Sequence, residues 1–164
     1  MPNYFVISDT HFGHANIIRY CNRPFSSVEE MNECMIDNWN KVVNDNDHVY
    51  HLGDVYFGKE VSEFFFRLKG KKRLILGNHD NGKDQKLQNM FQKISMWRMF
   101  PEFGVILSHV PLHSFSLPEK APINIHGHIH NKLSPDKQYR NVSVEMINYT
   151  PIALEEIRDA KEQE

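Results

Sequence analysis

The sequence has little cysteine and no excess of charge of either sign, and each shortage argues against a class of protein. Only Cys21 and Cys34 occur among the 164 residues, and neither stands in a CxxC pair or a cysteine-rich pattern. A disulfide framework is therefore not expected, and a reducing compartment is favoured. Lys and Arg total 19 against 21 Asp and Glu, so the net charge of −2 offers no general footprint for a long polyanion. We do not expect extended nucleic acid as a partner.

Long hydrophobic runs are also absent. The apolar run at residues 4–7 is interrupted by Ser8 and Asp9 before it reaches membrane-spanning length, and no basic segment precedes it. With 40% hydrophobic residues over 164 positions, the chain fits one compact domain and is too short for two well-cored ones. We predict a single domain over residues 1–164 that is soluble, cytoplasmic and not bound to a membrane.

Short runs rich in Val and Ile indicate buried β-strands, most of them followed by polar residues or Gly. The runs in the first half lie at Tyr4–Ser8, His48–Leu52 and Arg73–Leu76. Further strand candidates lie at Ser95–Phe100, Val105–Ser108, Ile123–His126 and Tyr139–Val144. Helices are predicted at Val61–Lys69, Gln85–Ile94 and Leu154–Lys161. Strands that alternate with helices early and cluster later predict an α/β sandwich with mixed sheets.

A longer helix is predicted between the first two strands. Ser27 and Glu30 have the spacing of a capping box, in which each side chain binds the backbone amide of the other residue. Hydrophobic residues then recur at helical spacing, at Val28, Met31, Met35, Trp39 and Val42. We interpret this stripe as core packing.

Histidine is abundant, with 10 residues, and most of them stand near Gly, Asp or Asn at the ends of the short apolar runs. Five clusters follow strand candidates: Asp9-Thr10-His11, Gly53-Asp54, Gly77-Asn78-His79-Asp80, Ser108-His109 and Gly127-His128-Ile129-His130. In open α/β sheets, ligand sites form beyond the carboxyl ends of the strands, so these clusters are expected to converge. Asp, Asn and His offer oxygen and imidazole ligands without thiolate, which favours a catalytic site for Mn, Fe, Co or Zn.

Each cluster alone has an ordinary structural explanation. Asp9 could be a turn residue at a strand end, Asn78 a left-handed turn residue and His109 a half-buried histidine. Together, however, they would place the right residue types at every required position by chance. Each would also carry a desolvation cost without a metal to offset it. The combined pattern therefore favours a metal site.

In this order, the five clusters resemble the signature of the calcineurin-like metallophosphoesterase superfamily, over residues 9–130. The stretch DTHFGHANIIRYCNRPF is further similar to small capless bacterial and phage members of that superfamily. The resemblance implies a four-layer αββα sandwich of two mixed β-sheets flanked by helices, with the metal site above the sheets. It also implies an enzyme that hydrolyses a phosphate ester with water activated between two metal ions.

The resemblance assigns seven side chains to two divalent transition-metal ions. Asp9, His11, Asp54 and His130 would hold the first ion, and Asp54, Asn78, His109 and His128 would hold the second. Asp54 is then the bridge, because a carboxylate can span metals roughly 3.5–4 Å apart. Four imidazoles in this set favour Mn²⁺, with Fe, Co, Ni or Zn as alternatives. The expected nucleophile is a metal-bridging hydroxide.

His79 lies outside this ligand set, and the resemblance implies that it contacts phosphate and donates a proton to the leaving oxygen. Asp80, or another nearby carboxylate, is expected to orient the His79 imidazole. Asn78 is expected to face the substrate as well as a metal. His126 could share a strand face with His128 and support the ligands from behind, but a simple strand histidine is the favoured interpretation.

Three basic residues follow the first cluster and are further candidates for substrate binding. His14, Arg19 and Arg23 could approach a substrate phosphate, although an exposed helix start with solvated arginines explains them equally well. The segment at residues 111–122 has a Pro at each end and is predicted to be a surface loop at the rim of the site. This loop could also serve a homodimer contact.

The expected substrate is a small phosphate ester, with a diester favoured over a monoester because the chain shows neither a cap domain nor a dense basic pocket. Two other interpretations stay open. One is a small DNA or RNA nuclease or nucleic-acid-binding module. The near-neutral charge argues against long duplexes as substrates of such a protein. The other is a scaffold of the same fold that has lost catalysis. The chain retains every ligand type and His79, which argues against this interpretation.

Overall fold

Two β-sheets pack face to face in the computed structural model, which describes residues 1–58 and 62–162. The first sheet contains β1 (Tyr4–Ile7), β2 (His48–His51), β3 (Lys71–Ile75), β4 (Lys93–Ser95) and β9 (Ile152–Ala153). Its spatial order is β4-β3-β2-β1-β9, with β1 to β4 parallel and β9 antiparallel. The second sheet contains β5 (Trp97–Phe100), β6 (Val105–Ser108), β7 (Ile123–His126) and β8 (Tyr139–Asn141) in that order. β6, β7 and β8 are parallel and β5 is antiparallel to β6, so both sheets are mixed.

The helices of the described residues cover these sheets and connect their strands. They are α1 (Ala15–Tyr20), α2 (Val28–Val42), α3 (Ser62–Arg67), α4 (Gln85–Met90) and α5 (Leu154–Glu162). Short 3-10 turns lie at Ser114–Ser116 and Val144–Met146. The predicted α/β sandwich of two mixed β-sheets flanked by helices is confirmed.

The alternation of side chains along β1 divides the hydrophobic core into two parts. Phe5 and Ile7 pack with the buried faces of α1 to α4, whereas Val6 packs into the core between the two sheets. Leu107 and Ile125 belong to this second part of the core. Because the last three residues of β1 and of β2 are buried, the loops that follow these two strands start from positions fixed by the core.

Helix α2 begins at the predicted residue but with a different cap. The Ser27 hydroxyl accepts the Glu30 amide hydrogen at 3.1 Å, as predicted. The Glu30 carboxylate, however, accepts from the amide of Ser26 at 2.7 Å, so the reciprocal half of the capping box is wrong. The stripe is buried at Met31, Met35 and Trp39. Val42 is 36% exposed because the helix ends there, and Val43 enters the core instead.

The helix predicted at residues 85–94 is wrong in its last part. Phe91 has an extended backbone, and the chain then continues into β4, where Ile94 pairs with Leu74. The segment at residues 95–100, predicted as a single strand, is shared between β4 of the first sheet and β5 of the second. The boundaries of β4 and β5 therefore depend on pairing with two different sheets, which the periodicity of the sequence does not show.

Other boundaries agree more closely with the sequence. The strand predicted at residues 139–144 ends at Asn141. The helix predicted at residues 61–69 is represented by α3, and Val61 lies outside the described residues. The helix predicted at residues 154–161 is confirmed as α5. No helix within the described part of the chain has the length and apolar character needed to cross a membrane.

Candidate metal centre

The polar clusters occupy the loops that follow parallel strands of both sheets, and backbone hydrogen bonds join these loops. The amide of Asp9 donates to the carbonyl of Gly53 at 2.9 Å, which links the loops after β1 and β2. The amide of Gly127 donates to the carbonyl of His109 at 2.9 Å, which links the loops after β6 and β7. Residues that are distant in sequence therefore converge at one place, as expected for the carboxyl ends of strands in α/β folds.

The first group of predicted ligands surrounds one point. His11 Nε2 lies 4.0 Å from Asp9 Oδ1 and 3.7 Å from Asp54 Oδ2. His130 Nε2 lies 3.7 Å from Asp9 Oδ1. Ligand atoms of Asp9, His11 and His130 all lie within 4.8 Å of one another. These separations suit one ion with ligand atoms at about 2.0–2.2 Å.

The second group lies beside the first. His109 Nε2 is 3.5 Å from Asp54 Oδ2 and 2.8 Å from Asn78 Oδ1. His128 Nδ1 is 3.0 Å from the same Asn78 oxygen and 3.3 Å from His109 Nε2. The structure thus brings all seven predicted ligands together, and Asp9, Asp54 and His109 also lie within 4.8 Å of one another across the two predicted sets. Their division between two ions stays a prediction.

Asp54 joins the two groups through a single oxygen atom. Its Oδ1 accepts the amide hydrogen of His79 at 3.0 Å, which leaves Oδ2 to face both His11 and His109. Burial raises the pKa of the Asp54 carboxyl, but the hydrogen bond and charge of His109 outweigh burial and lower this pKa to about 2. The carboxylate is therefore ionised near neutral pH.

Hydrogen bonds on the outer side of two imidazoles orient their ring nitrogens. His109 Nδ1 donates to the carbonyl of Leu52 at 2.7 Å, and His130 Nδ1 lies 3.0 Å from Glu145 Oε1. With Nδ1 of each ring engaged in this way, Nε2 faces the centre. Both rings are thus oriented so that Nε2 can bind a metal once its proton is released.

Unpaired ligand atoms indicate that the centre suits a cation, and strained backbone marks it as a functional site. Among the described residues, the buried side-chain atoms without a hydrogen-bond partner are Asp9 Oδ1, His11 Nε2 and Glu145 Oε2, and the first two belong to predicted ligands. Five predicted ligands have left-handed backbone, with φ of 56° at Asp9, 49° at His11, 55° at Asp54, 71° at His128 and 51° at His130. Strain of this kind costs of order 1–3 kcal/mol per residue and clusters at functional sites. The carboxylate, amide and imidazole donors fit divalent transition-metal ions.

Two glycines of the clusters allow the loops to approach closely. A Cβ atom on Gly77 would overlap the carboxylate of Asp54, and a Cβ atom on Gly127 would overlap Ser8 and Asp9. A side chain at either position would push a metal ligand out of place, so glycine is required there by packing.

Comparison with known families matches residues 3–161 to the calcineurin-like phosphoesterases. The chain belongs to this family. An uncharacterized protein of Methanocaldococcus jannaschii is 43% identical, over 94% of this chain and 89% of that protein. The crystal structure of a protein of unknown function from Aquifex aeolicus has a TM-score of 0.80 at 27% identity, over 98% of this chain and 100% of that one. Pseudomonas putida nuclease MPE shares the fold, with a TM-score of 0.51 at 20% identity, over 77% of this chain and 61% of that one.

Membership in the family supports a metal-dependent phosphoesterase and agrees with the resemblance found in the sequence. The residues of the calcineurin-like signature are the ones that converge in this structure. His79 lies at the exposed surface of the centre, and its ring centroid is 6.0 Å from that of His11 and 5.2 Å from that of Phe57.

Asp80 of this calcineurin-like phosphoesterase does not have the expected role. Its Oδ2 accepts the amide hydrogens of Asp54 and Gly77, both at 2.8 Å, and its Oδ1 accepts that of Val55 at 3.0 Å. Both oxygens are therefore committed to backbone amides, and the expectation that Asp80 orients His79 is corrected. Asp80 instead holds the loop after β3 against the loop after β2.

Arg23 also differs from both interpretations of the sequence. The residue is only 4% exposed, and its guanidinium donates to the carbonyl oxygens of Asp9 at 2.7 Å and Thr10 at 2.9 Å. It also donates to the Glu145 carboxylate at 2.8 and 3.0 Å. Arg23 therefore lies behind the metal ligands and is neither a substrate contact nor a solvated helix residue.

The other two basic candidates lie nearer the surface. Arg19 is exposed, and its guanidinium carbon lies 5.6 Å from the ring centroid of Tyr20. His14 borders the centre, since its Nδ1 is 3.2 Å from His11 Nδ1 and its ring stacks on Phe57 at 4.2 Å between centroids. Of the three candidates, His14 is the one that the structure places beside a predicted ligand.

The supporting roles of three residues, Glu145, Ser143 and Ser8, were missed by the sequence reasoning. Glu145 Oε1 lies 3.0 Å from His130 Nδ1. The Ser143 hydroxyl donates to Asp9 Oδ2 at 3.1 Å, and the Ser8 hydroxyl donates to the same oxygen at 2.6 Å, which turns Asp9 Oδ1 towards the centre. Ser143 and Glu145 lie in or beside the 3-10 turn after β8, where no motif marks them.

His126 is buried away from the predicted ligands. Its Nδ1 donates to the carbonyl of Gly127 at 2.8 Å, and its Nε2 lies 3.2 Å from the Ser134 hydroxyl. β7 ends at His126 and His128 is left-handed, so strand alternation does not extend to His128. These contacts agree with the favoured interpretation of a simple strand histidine. Residues 111–122 form a loop that contains a 3-10 turn, and its use in a homodimer stays a prediction.

Proposed function

We propose that this protein is a two-metal hydrolase of small phosphodiesters. The observation that carries the proposal is the position of Asp54 Oδ2, which faces His11 Nε2 at 3.7 Å and His109 Nε2 at 3.5 Å. A pair of bridged ions uses all seven converging side chains, whereas a single ion would leave one group without a function. Two divalent ions bound there would lower the pKa of a coordinated water and bind the phosphoryl oxygens.

The charge of the ligand set favours an anionic substrate. Asp9 and Asp54 supply one negative charge each, whereas the amide of Asn78 and the imidazoles bind metals as neutral ligands. Two divalent ions would therefore leave the centre with net positive charge, which attracts a phosphate group.

His79 is the proposed proton donor to the leaving oxygen. Its backbone amide donates to Asp54 Oδ1, so the residue is fixed next to the bridging carboxylate. Its imidazole is exposed and stands outside both ligand groups. A histidine held at the surface of the centre can reach a substrate oxygen, and an imidazole is the side chain most often used as a general acid.

The preference for a diester is proposed from the positions of the two arginines. Arg23 is paired with Glu145 behind the ligands, and Arg19 lies against Tyr20. The charge of Arg23 is therefore not available to the second negative charge of a monoester, and the charge of Arg19 lies at the exposed surface. Mn²⁺ is the proposed ion, because a ligand set rich in imidazole does not select a hard, oxygen-seeking ion such as Mg²⁺.

The test is a substrate screen of metal-free protein reconstituted with Mn²⁺. The substrates are bis-p-nitrophenyl phosphate, p-nitrophenyl phosphate, 2′,3′-cyclic nucleotides and single-stranded DNA. We expect the highest kcat/KM with a small diester. A large advantage for the monoester would contradict the diester assignment, and turnover of DNA alone would favour a nuclease. Two bound ions without turnover of any substrate would favour the scaffold interpretation.

A further inference from the structure

We propose that Arg23 and Glu145 form a buried clamp that positions the first ligand group. In this clamp, Arg23 holds the backbone on which Asp9 stands, and Glu145 holds the imidazole of His130. The inference rests on the proposed two-metal function, and it assigns positioning roles to two residues outside the seven ligands.

The Arg23 half of the clamp uses every nitrogen of the guanidinium. Nη1 donates to the carbonyl of Thr10, Nη2 donates to the carbonyl of Asp9 and to Glu145 Oε1, and Nε donates to Glu145 Oε1. The side chain has no solvent exposure. A planar fork with donors at fixed angles can hold two successive carbonyl groups and a carboxylate together, which the single nitrogen of a lysine cannot do.

The hydrogen bonds from Arg23 hold a strained segment of backbone that carries predicted metal ligands. Asp9 has a left-handed φ of 56°, and its neighbour His11 has a φ of 49°. Such conformations persist only where the surrounding contacts over-determine them. The two carbonyl groups held by Arg23 belong to this turn, so Arg23 helps to keep Asp9 Oδ1 and His11 Nε2 aimed at the centre.

The Glu145 half of the clamp acts on a side chain. Glu145 Oε1 accepts from Arg23 and lies 3.0 Å from His130 Nδ1, and the Glu145 side chain is 5% exposed. A carboxylate on the outer nitrogen of a metal-binding imidazole fixes the tautomer and the ring orientation. With Nδ1 engaged in this way, His130 Nε2 faces Asp9 Oδ1 at 3.7 Å.

The placement of the pair favours positioning over simple stabilisation. A buried ion pair gives little net stability compared with apolar side chains of similar size. Arg23 and Glu145 stand 122 positions apart, and within the described residues their side chains form hydrogen bonds with each other, with the turn at Asp9 and Thr10, with His130 and with Met31 Sδ. The clamp therefore connects the loop after β1 with the chain after β8 at the point where both meet the first ligand group.

The first test is Glu145→Gln, with Mn²⁺ titrated into the metal-free protein by calorimetry. We expect the affinity for the first ion to fall about 10–100-fold, the usual effect of removing an outer partner of a metal ligand. The second ion, held by the group around His109 and Asn78, should keep its affinity. The visible absorption of bound Co²⁺ should change for the first ion alone. Excess Mn²⁺ should restore turnover.

Glu33→Gln is the matched control. Glu33 pairs with Arg67 at 2.6 Å on the surface, with both side chains about half exposed, so the control removes the same kind of contact far from a ligand. It should leave both ion affinities unchanged.

A second variant covers the case in which Glu145→Gln does not fold because the Arg23 cation is left unpaired. The double variant Arg23→Met with Glu145→Gln removes both buried charges together, and we expect it to fold and to bind the first ion as weakly. Unchanged affinity for both ions would overturn the clamp. Equal weakening of both ions together with a lowered unfolding temperature would reduce it to a structural contact. Fewer than two ions in the unaltered protein would instead refute the proposed two-metal function.

Discussion

Replacement of Asp54 by Asn tests the bridge between the two ligand groups most directly. Asn can still offer a carbonyl oxygen to the amide of His79, which in this protein binds Asp54 Oδ1, so the local backbone should be preserved. The position of Oδ2 would then be occupied by the neutral NH2 group of the side-chain amide. That group donates hydrogen bonds, and it would face His11 and His109 where a metal-binding oxygen is needed.

The expected loss follows from the two contacts of that one atom. Oδ2 lies 3.7 and 3.5 Å from the imidazole nitrogens of the two groups, and Asp54 is 2% exposed, so its charge is poorly screened. Removing one partner of a buried charge pair costs about 3–5 kcal/mol. At about 1.4 kcal/mol for each factor of ten, the affinity for each ion should fall roughly 10²–10⁴-fold.

The assay is the metal content of the purified variant after reconstitution with Mn²⁺, measured together with the hydrolysis of bis-p-nitrophenyl phosphate. Asp37→Asn is the control, because Asp37 is an exposed residue of α2 and undergoes the same chemical change. The control should keep two ions and full turnover. If Asp54→Asn also keeps two ions and normal turnover, the bridging role of Asp54 is wrong.

Three further predictions concern chemistry, metal choice and stability. His79→Ala should keep both ions but hydrolyse an alkyl ester roughly 10²–10⁴-fold more slowly. The loss should be smaller on a nitrophenyl ester, because its leaving group needs no proton. Equal losses on both esters would leave phosphate binding as the role of His79. Mn²⁺ should support faster turnover than Mg²⁺ in stripped protein, and strong activity with Mg²⁺ alone would contradict the ligand argument. Burial lowers the pKa of His51 to about 3, so the folded state disfavours a proton that the unfolded state binds below about pH 6.5. The unfolding free energy of the unaltered protein should therefore fall as the pH drops from 6.5 to 3, and His51 should contribute up to about 1.4 kcal/mol of this fall per pH unit. In His51→Gln the fall should be smaller by that amount, as measured by guanidinium titrations of the metal-free proteins at several pH values. The same dependence on pH in both proteins would refute this.

The amino-acid sequence alone was sufficient to predict those features of the protein that depend on local patterns of residues. Strand-forming runs that end in Asp, Asn or His indicated an α/β fold with side chains converging beyond the strand ends, and all seven predicted ligands do converge. This worked because side-chain type and strand periodicity are local properties, and because the carboxyl ends of parallel strands meet at one edge of a sheet.

The tertiary structure alone decided which partner each charged side chain takes. Arg23 could have faced substrate or solvent, but packing placed it against Glu145, 122 residues away, and against the carbonyl groups of the first ligand loop. Asp80, predicted to serve His79, was taken by three backbone amides of loops that meet only in the folded chain. A buried charge must find a partner within hydrogen-bond distance, and that distance is set by the packing of segments far apart in sequence.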